Sequence, residues 1–88
     1  MDSLTSGALK VLVVDDEPAI RQVLQIARKR EGYEVGTVSG YRPALEVLTT
    51  SQQPFPVVLT DLSMPDGSGF DVIAAAKRRD PASEVILI

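Results

Sequence analysis

Two short runs constrain this chain most: KVLVV at Lys10–Val14 and PVVLT at residues 56–60. Neither alternates apolar with polar residues, as a strand with one wet face would. Continuous β-branched and leucine runs of this length suit strands buried on both faces, the usual state in a parallel sheet. Parallel strands need crossover segments, and helical patterns lie between them. After the first run, Pro18 suits the first position of a helix, with Asp16 or Glu17 near its N-cap. Ile20, Val23, Leu24 and Ala27 recur at helical spacing, and basic residues followed by Gly32 close the segment, the glycine as a left-handed C-cap. Residues 33–38, YEVGTV, alternate and predict a second strand. A shorter helix over 40–51 has Pro43 at its start and a stripe of Ala44, Leu45 and Leu48, and QQPFP breaks it. Residues 61–68 read as a loop. Gly69–Arg79 reads as a helix with Phe70, Ile73 and Ala74 inward and KRR at the end a helix dipole favours for cations. EVILI, residues 84–88, predicts a fourth strand. The order β-α-β-α-β-α-β implies an α/β fold: a doubly wound parallel sheet, helices on both faces, right-handed crossovers.

A chain of 88 residues forms one domain, and at that size its core margin is thin. With 12 acidic and 9 basic residues the net charge is −3, which gives no reason to expect direct binding to nucleic acid or an anionic membrane. The chain has no cysteine, so disulfides, thiol catalysis and cysteine-held metals are excluded. That composition fits a reducing compartment, and a cytoplasmic location is expected. The absence of histidine removes a Ser-His-Asp triad, a zinc-histidine site and a histidine base. Any chemistry rests on carboxylates, hydroxyls, lysines or a bound metal. No stretch approaches the ~20 apolar residues of a membrane span. MDSLTSGAL carries no basic region of the secretory kind, so residues 1–8 are expected to be a disordered lead-in to a domain over 9–88.

In a parallel sheet all strand C-termini share one edge, where ligands bind. Asp15 and Asp16 end the first strand, and Asp61 ends the third. If those strands are neighbours, three carboxylates converge. Two carboxylates ~5 Å apart repel by about 3 kcal/mol at an effective dielectric of 20. Three need a cation or a raised pKa. Oxygen-only ligands suit a hard divalent ion, and Mg²⁺ favours one or two carboxylates with waters and often a phosphate oxygen. The pattern therefore reads as a Mg²⁺ site beside a carboxylate able to accept a phosphoryl group. Taken singly, each piece has a plainer reading: DDEP as an acidic helix start, Asp61 as a turn-former. Their joint placement after the two continuously apolar strands favours the site. Glu31, Glu34, Glu46, Asp71, Asp80 and Glu84 read as solvated surface or caps.

KVLVVDDEP, followed about 45 residues later by VVLTDLSMPDGSGFDVI, closely resembles the receiver domain of two-component response regulators. The likeness covers the chain after residue 8, with the acidic pair, the later aspartate and the M-P-x-x-x-G loop in register. It implies a flavodoxin-like fold with strand order 2-1-3-4. It also implies that Asp61 is the phosphoacceptor, taking a phosphoryl group from a sensor histidine kinase, a phosphotransfer protein or a small phosphodonor. Asp16 matches the direct Mg²⁺ ligand and Asp15 its partner acid, which holds the metal through water. Ser63 sits where the family offers a backbone carbonyl to Mg²⁺, its side chain at the site mouth. Pro65 and Gly69 shape the loop. The style of VVDDEPAIRQVL is similar to receivers attached to transcription-activating domains.

The resemblance also implies a departure. Receivers continue past the fourth strand with a switch hydroxyl, a helix, a fifth strand ending in lysine and a fifth helix, and this sequence stops at Ile88. A partial receiver is therefore expected, impaired in phosphorylation and signalling. Lys10 and Lys77 lie remote from the acids and do not replace the family's lysine. An uncovered fourth strand and sheet face predict self-association through 84–88 or through that face. Two other readings stand beside this one. Haloacid-dehalogenase-type phosphotransferases also use a strand-end aspartate with Mg²⁺, but place a second aspartate where Ser63 stands. A non-catalytic dimerisation fragment is the other.

Overall fold

The computed structural model describes residues 9–88, and the expected lead-in over 1–8 lies outside them. Its main sheet contains β1 (Lys10–Val14), β2 (Glu34–Val38), β3 (Val57–Thr60) and β6 (Glu84–Leu87) in the order β2-β1-β3-β6, all parallel. This is the expected doubly wound order, with β1 central and neighbour to β3. Helices α1 (Pro18–Arg30), α2 (Tyr41–Thr50) and α3 (Gly69–Arg79) make the crossovers.

The two faces explain the continuous apolar runs. Leu12, Val14 and Val58 point to one side and pack with Ala44 and Leu48 of α2 and Val72, Ala75 and Ala76 of α3. Val11, Val13 and Leu59 point to the other, where Leu24 of α1 and Tyr33 meet them. Successive residues of a strand face opposite ways, so a strand covered on both faces has no polar position to spare.

Several expectations need correction. Of the predicted α1 stripe, Leu24 and Ala27 are half-buried, but Ile20 and Val23 are 43% and 62% exposed, and the helix has no fully buried residue. α1 packs chiefly on β1 and β2, so only a narrow strip of its circumference is covered. Beside it an open groove of about 360 Å³ runs between Leu24 and Arg28 of α1 and Val57, Leu59, Ile86 and Ile88.

The inward face of α3 is also displaced. Gly69, Val72, Ala75 and Ala76 are buried, while Phe70 is 63% exposed, Ala74 is exposed and Ile73 half-buried. The helix start sets this phase. Ser68 and Asp71 form a reciprocal capping box. Gly69 lies against the chain so closely that a Cβ there would sit 2.7 Å from the Asp61 carbonyl oxygen and 2.6 Å from Leu87 Cδ2. With Gly69 inward, the positions three and seven residues on follow it.

The predicted loop over 61–68 is more ordered than expected. β4 (Ser63–Met64) and β5 (Gly67–Ser68) form a short antiparallel ladder, Ser63 opposite Ser68 and Met64 opposite Gly67. Met64 is buried and anchors this hairpin in the core. At the other end of the domain, Gly32 has φ +91° and ends α1 as expected.

Candidate functional site

β1 and β3 are hydrogen-bonded neighbours, so the residues after them leave the sheet side by side. The ladder extends into those residues: Asp61 N–H donates to the Val14 carbonyl at 2.9 Å, and Asp15 N–H to the Val38 carbonyl at 3.2 Å. Asp15, Asp16 and Asp61 each offer a carboxylate oxygen, all within 4.8 Å of one another. Asp15 is buried, Asp61 half-buried and Asp16 exposed, so the cluster opens to solvent on the Asp16 side.

The acids do not cap α1. Its N-cap is Glu17, whose side chain makes no capping hydrogen bond. Asp15 Oδ1 accepts from Glu17 N–H at 2.9 Å, closing a tight Asx turn that projects Asp16 outward. The plainer reading of DDEP as a capped helix start is thus weakened, and Asp16 is left exposed at the mouth. Ser63 lies on β4, two residues past Asp61 and exposed. Oxygen-only donors from three carboxylates fit a hard divalent cation such as Mg²⁺, and no nitrogen or sulfur ligand competes for a softer metal.

Two residues that the sequence pattern does not single out brace this edge. Arg21, on α1, donates from Nη1 to the Asp15 carbonyl at 2.6 Å and ties the β1–α1 turn to the helix behind it. Asp66, at the tip of the hairpin, accepts from the N–H groups of Tyr41 and Arg42, both at 2.9 Å. α2 has Gly40 as its N-cap and so no side-chain cap of its own, and a carboxylate from a distant loop supplies one. The signal in the sequence is indirect: a helix start at Gly40-Tyr41-Arg42-Pro43 with no Ser, Thr, Asp or Asn at its cap. Asp71 and Asp80 are caps, as expected, Asp80 accepting from Ala82 N–H at 3.0 Å.

The two backbone donors from Arg42 and Tyr41 hold the Asp66 carboxyl below the usual carboxylate range. A lowered folded-state pKa contributes stability that is fully present above the unfolded value and is lost as pH falls through the folded one. Wild type is therefore expected to melt above Asp66→Asn at neutral pH, with the gap closing as pH drops below the ordinary aspartate range. Thermal melts of both proteins across that interval check it, and a gap that widens on acidification contradicts the assignment.

The three lysines lie elsewhere. Lys10 begins β1 and pairs with Glu34 at 3.8 Å. Lys29 is in the last turn of α1. Lys77 donates to the carbonyls of Pro81 and Ser83. All three sit at or toward the edge opposite the carboxylates, as expected for Lys10 and Lys77. No helix among the described residues is long and apolar enough to cross a membrane.

Known proteins share this architecture. Residues 11–88 match the family model described as the response regulator receiver domain. The response regulator protein PilR of Pseudomonas aeruginosa is 38% identical over 79 residues, covering 90% of this chain and 17% of PilR. The transcriptional regulatory protein KdpE of Mycobacterium tuberculosis is 39% identical over 77 residues, covering 88% of this chain and 33% of KdpE. The chain thus spans a third or less of these relatives. Among solved structures, the response regulator TrrA of Thermotoga maritima in complex with Mg²⁺-BeF superposes with a TM-score of 0.81 at 33% identity, covering 90% of this chain and 67% of that one. TrrA in complex with the histidine kinase ThkA superposes with a TM-score of 0.77 at 33% identity, covering 90% of this chain and 66% of that one. With the β2-β1-β3-β6 sheet and the acidic edge in place, the family match over residues 11–88 means that this chain belongs to the response regulator receiver domain family.

Proposed function

We propose that the chain is a Mg²⁺-dependent phosphoacceptor module whose acceptor is Asp61 and whose metal ligands are Asp15, Asp16, Asp61 and the Ser63 backbone carbonyl. The observation that carries this is the approach of the three carboxylates to within 4.8 Å at the C-terminal edge of adjacent strands. The donor is a phosphohistidine on a sensor kinase or phosphotransfer protein, as the kinase complex of TrrA supports by analogy. A carboxylate oxygen of Asp61 attacks phosphorus, the P–N bond breaks, and the imidazole nitrogen leaves with the bonding pair. Mg²⁺, when bound, neutralises charge on the phosphoryl oxygens. Asp15 and Asp16 orient the cation side of the pocket, and the Val14 carbonyl holds the Asp61 backbone in place. Exposed Ile20 and Val23, in the first two turns of α1, offer apolar footing for the donor protein beside the acids.

Asp16→Asn is expected to weaken Mg²⁺ binding by at least about tenfold, the scale on which even supporting groups at metal sites act. A calorimetric titration in which wild type and Asp16→Asn are alike removes the metal assignment. The module is a signalling element, and Ser63 at the position where a dehalogenase-type enzyme needs its second aspartate argues against turnover. Sustained hydrolysis of p-nitrophenyl phosphate would reverse that reading. The module belongs in the cytoplasm, and it makes no direct nucleic-acid contact, the latter a reading its net charge of −3 supports. The 88-residue chain also self-associates, through the exposed edge of β6 and the groove beside α1.

A further inference from the structure

The hairpin that follows Asp61 is tethered at both ends. Its base is the Ser63–Ser68 pair, and Met64 is buried in the core. Its tip is Asp66, bound to the first turn of α2 by two charge-assisted hydrogen bonds of 2.9 Å. The fit leaves little room. A Cβ on Gly40 would stand 2.8 Å from Asp66 Oδ1, and a Cβ on Gly67 would stand 2.7 Å from the Tyr41 side chain. α1 and α3 do not share this arrangement: α3 carries its own capping box, and α1 has no side-chain cap. Only α2 has its start completed by the loop that leads out of the candidate acceptor.

We infer that Asp66 is a positioning residue for the metal centre: by latching the β4–β5 hairpin to α2 it fixes where the Ser63 carbonyl stands relative to Asp61. This rests on the metal reading proposed above. The physical reason is leverage. Ser63 is only three residues from Asp66 and is exposed, so its own packing does little to hold it. A two-residue ladder is marginal without outside support. The latch supplies that support and ties it to a helix that packs in the main core through Ala44 and Leu48.

The test uses the 88-residue chain and two readouts. The first is Mg²⁺ titration well below the melting transition, where the folded fraction is unchanged. Asp66→Asn keeps the size of the side chain but turns an amide NH₂ toward one of the two N–H donors. Gly40→Ala displaces the carboxylate without removing it. Both are expected to weaken Mg²⁺ about tenfold, the low end for groups that orient metal ligands. Asp80→Ala, which removes the side-chain acceptor of a turn at the far edge, is expected to leave affinity unchanged and controls for general destabilisation. The second readout needs no metal. Amide exchange over 62–68 is expected to quicken in Asp66→Asn, with β3 and the core of α3 still protected. Unchanged exchange over 62–68 overturns the latch. Faster exchange with wild-type Mg²⁺ affinity overturns its link to the metal. A wild type that takes no Mg²⁺ overturns the metal reading and this link together, while the exchange result still decides the latch itself.

Discussion

Offered acetyl phosphate or a phosphoramidate with Mg²⁺, the 88-residue chain is expected to acquire a phosphoryl group on Asp61 slowly. The rate should fall about 10²–10³ below that of a receiver with a cation at its phosphate-binding position, the usual loss on removing one preorganised charge. The reason is the placement of cations among the described residues. Lys10, Lys29 and Lys77 sit at or toward the opposite edge, and Lys10 and Lys77 are already engaged with Glu34 and with backbone carbonyls. Arg21, on α1, reaches back to the β1–α1 turn, and its Nη1 is committed to the Asp15 carbonyl. Incoming phosphoryl oxygens would therefore find no lysine among the described residues to meet them at the acidic edge. Mass spectrometry of timed samples reads the label, with Asp61→Asn as the blank. Rapid stoichiometric labelling would show that the distant lysines are no handicap. Label on Asp61→Asn would move the acceptor elsewhere.

Self-association of the 88-residue chain is the second large effect expected. β6 pairs with β3 on one side only, and Ile86, Leu87 and Ile88 are 49%, 39% and 47% exposed. Ile86 and Ile88 also line the groove beside α1, so an unpaired backbone edge and an apolar face adjoin. Such an edge is a template for another strand. Fully burying each isoleucine would contribute about 1.5–3 kcal/mol, against a net stability of only 5–15 kcal/mol for an ordinary domain. A two-fold pairing of β6 with a second copy meets both needs with one contact. Sedimentation at micromolar concentration is expected to find a homo-oligomer, and Ile86→Lys is expected to shift it to monomer. A wild-type monomer with a sharp, cooperative thermal transition would end the proposal.

The sequence alone carried the order of elements, because continuous apolar runs and helical stripes are local patterns that burial imposes on each segment. It also carried Asp15, Asp16 and Asp61 as one cluster, because strand ends in a parallel sheet must share an edge. Which side of a helix faces inward was less legible. In α3, Phe70 is outward and Val72 inward, since the phase comes from Gly69 pressed against Asp61 and Leu87. In α1, an amphipathic stripe is present but Ile20 and Val23 stay exposed, because what a stripe meets depends on the element opposite it. The supports of the site were the least visible. Asp66 lies 24 and 25 residues from the N–H groups it accepts, and Arg21 reaches back six residues to a carbonyl. A polar side chain writes its own chemistry into the sequence but not the address of its partner, and only the packed chain brings the two to hydrogen-bonding distance.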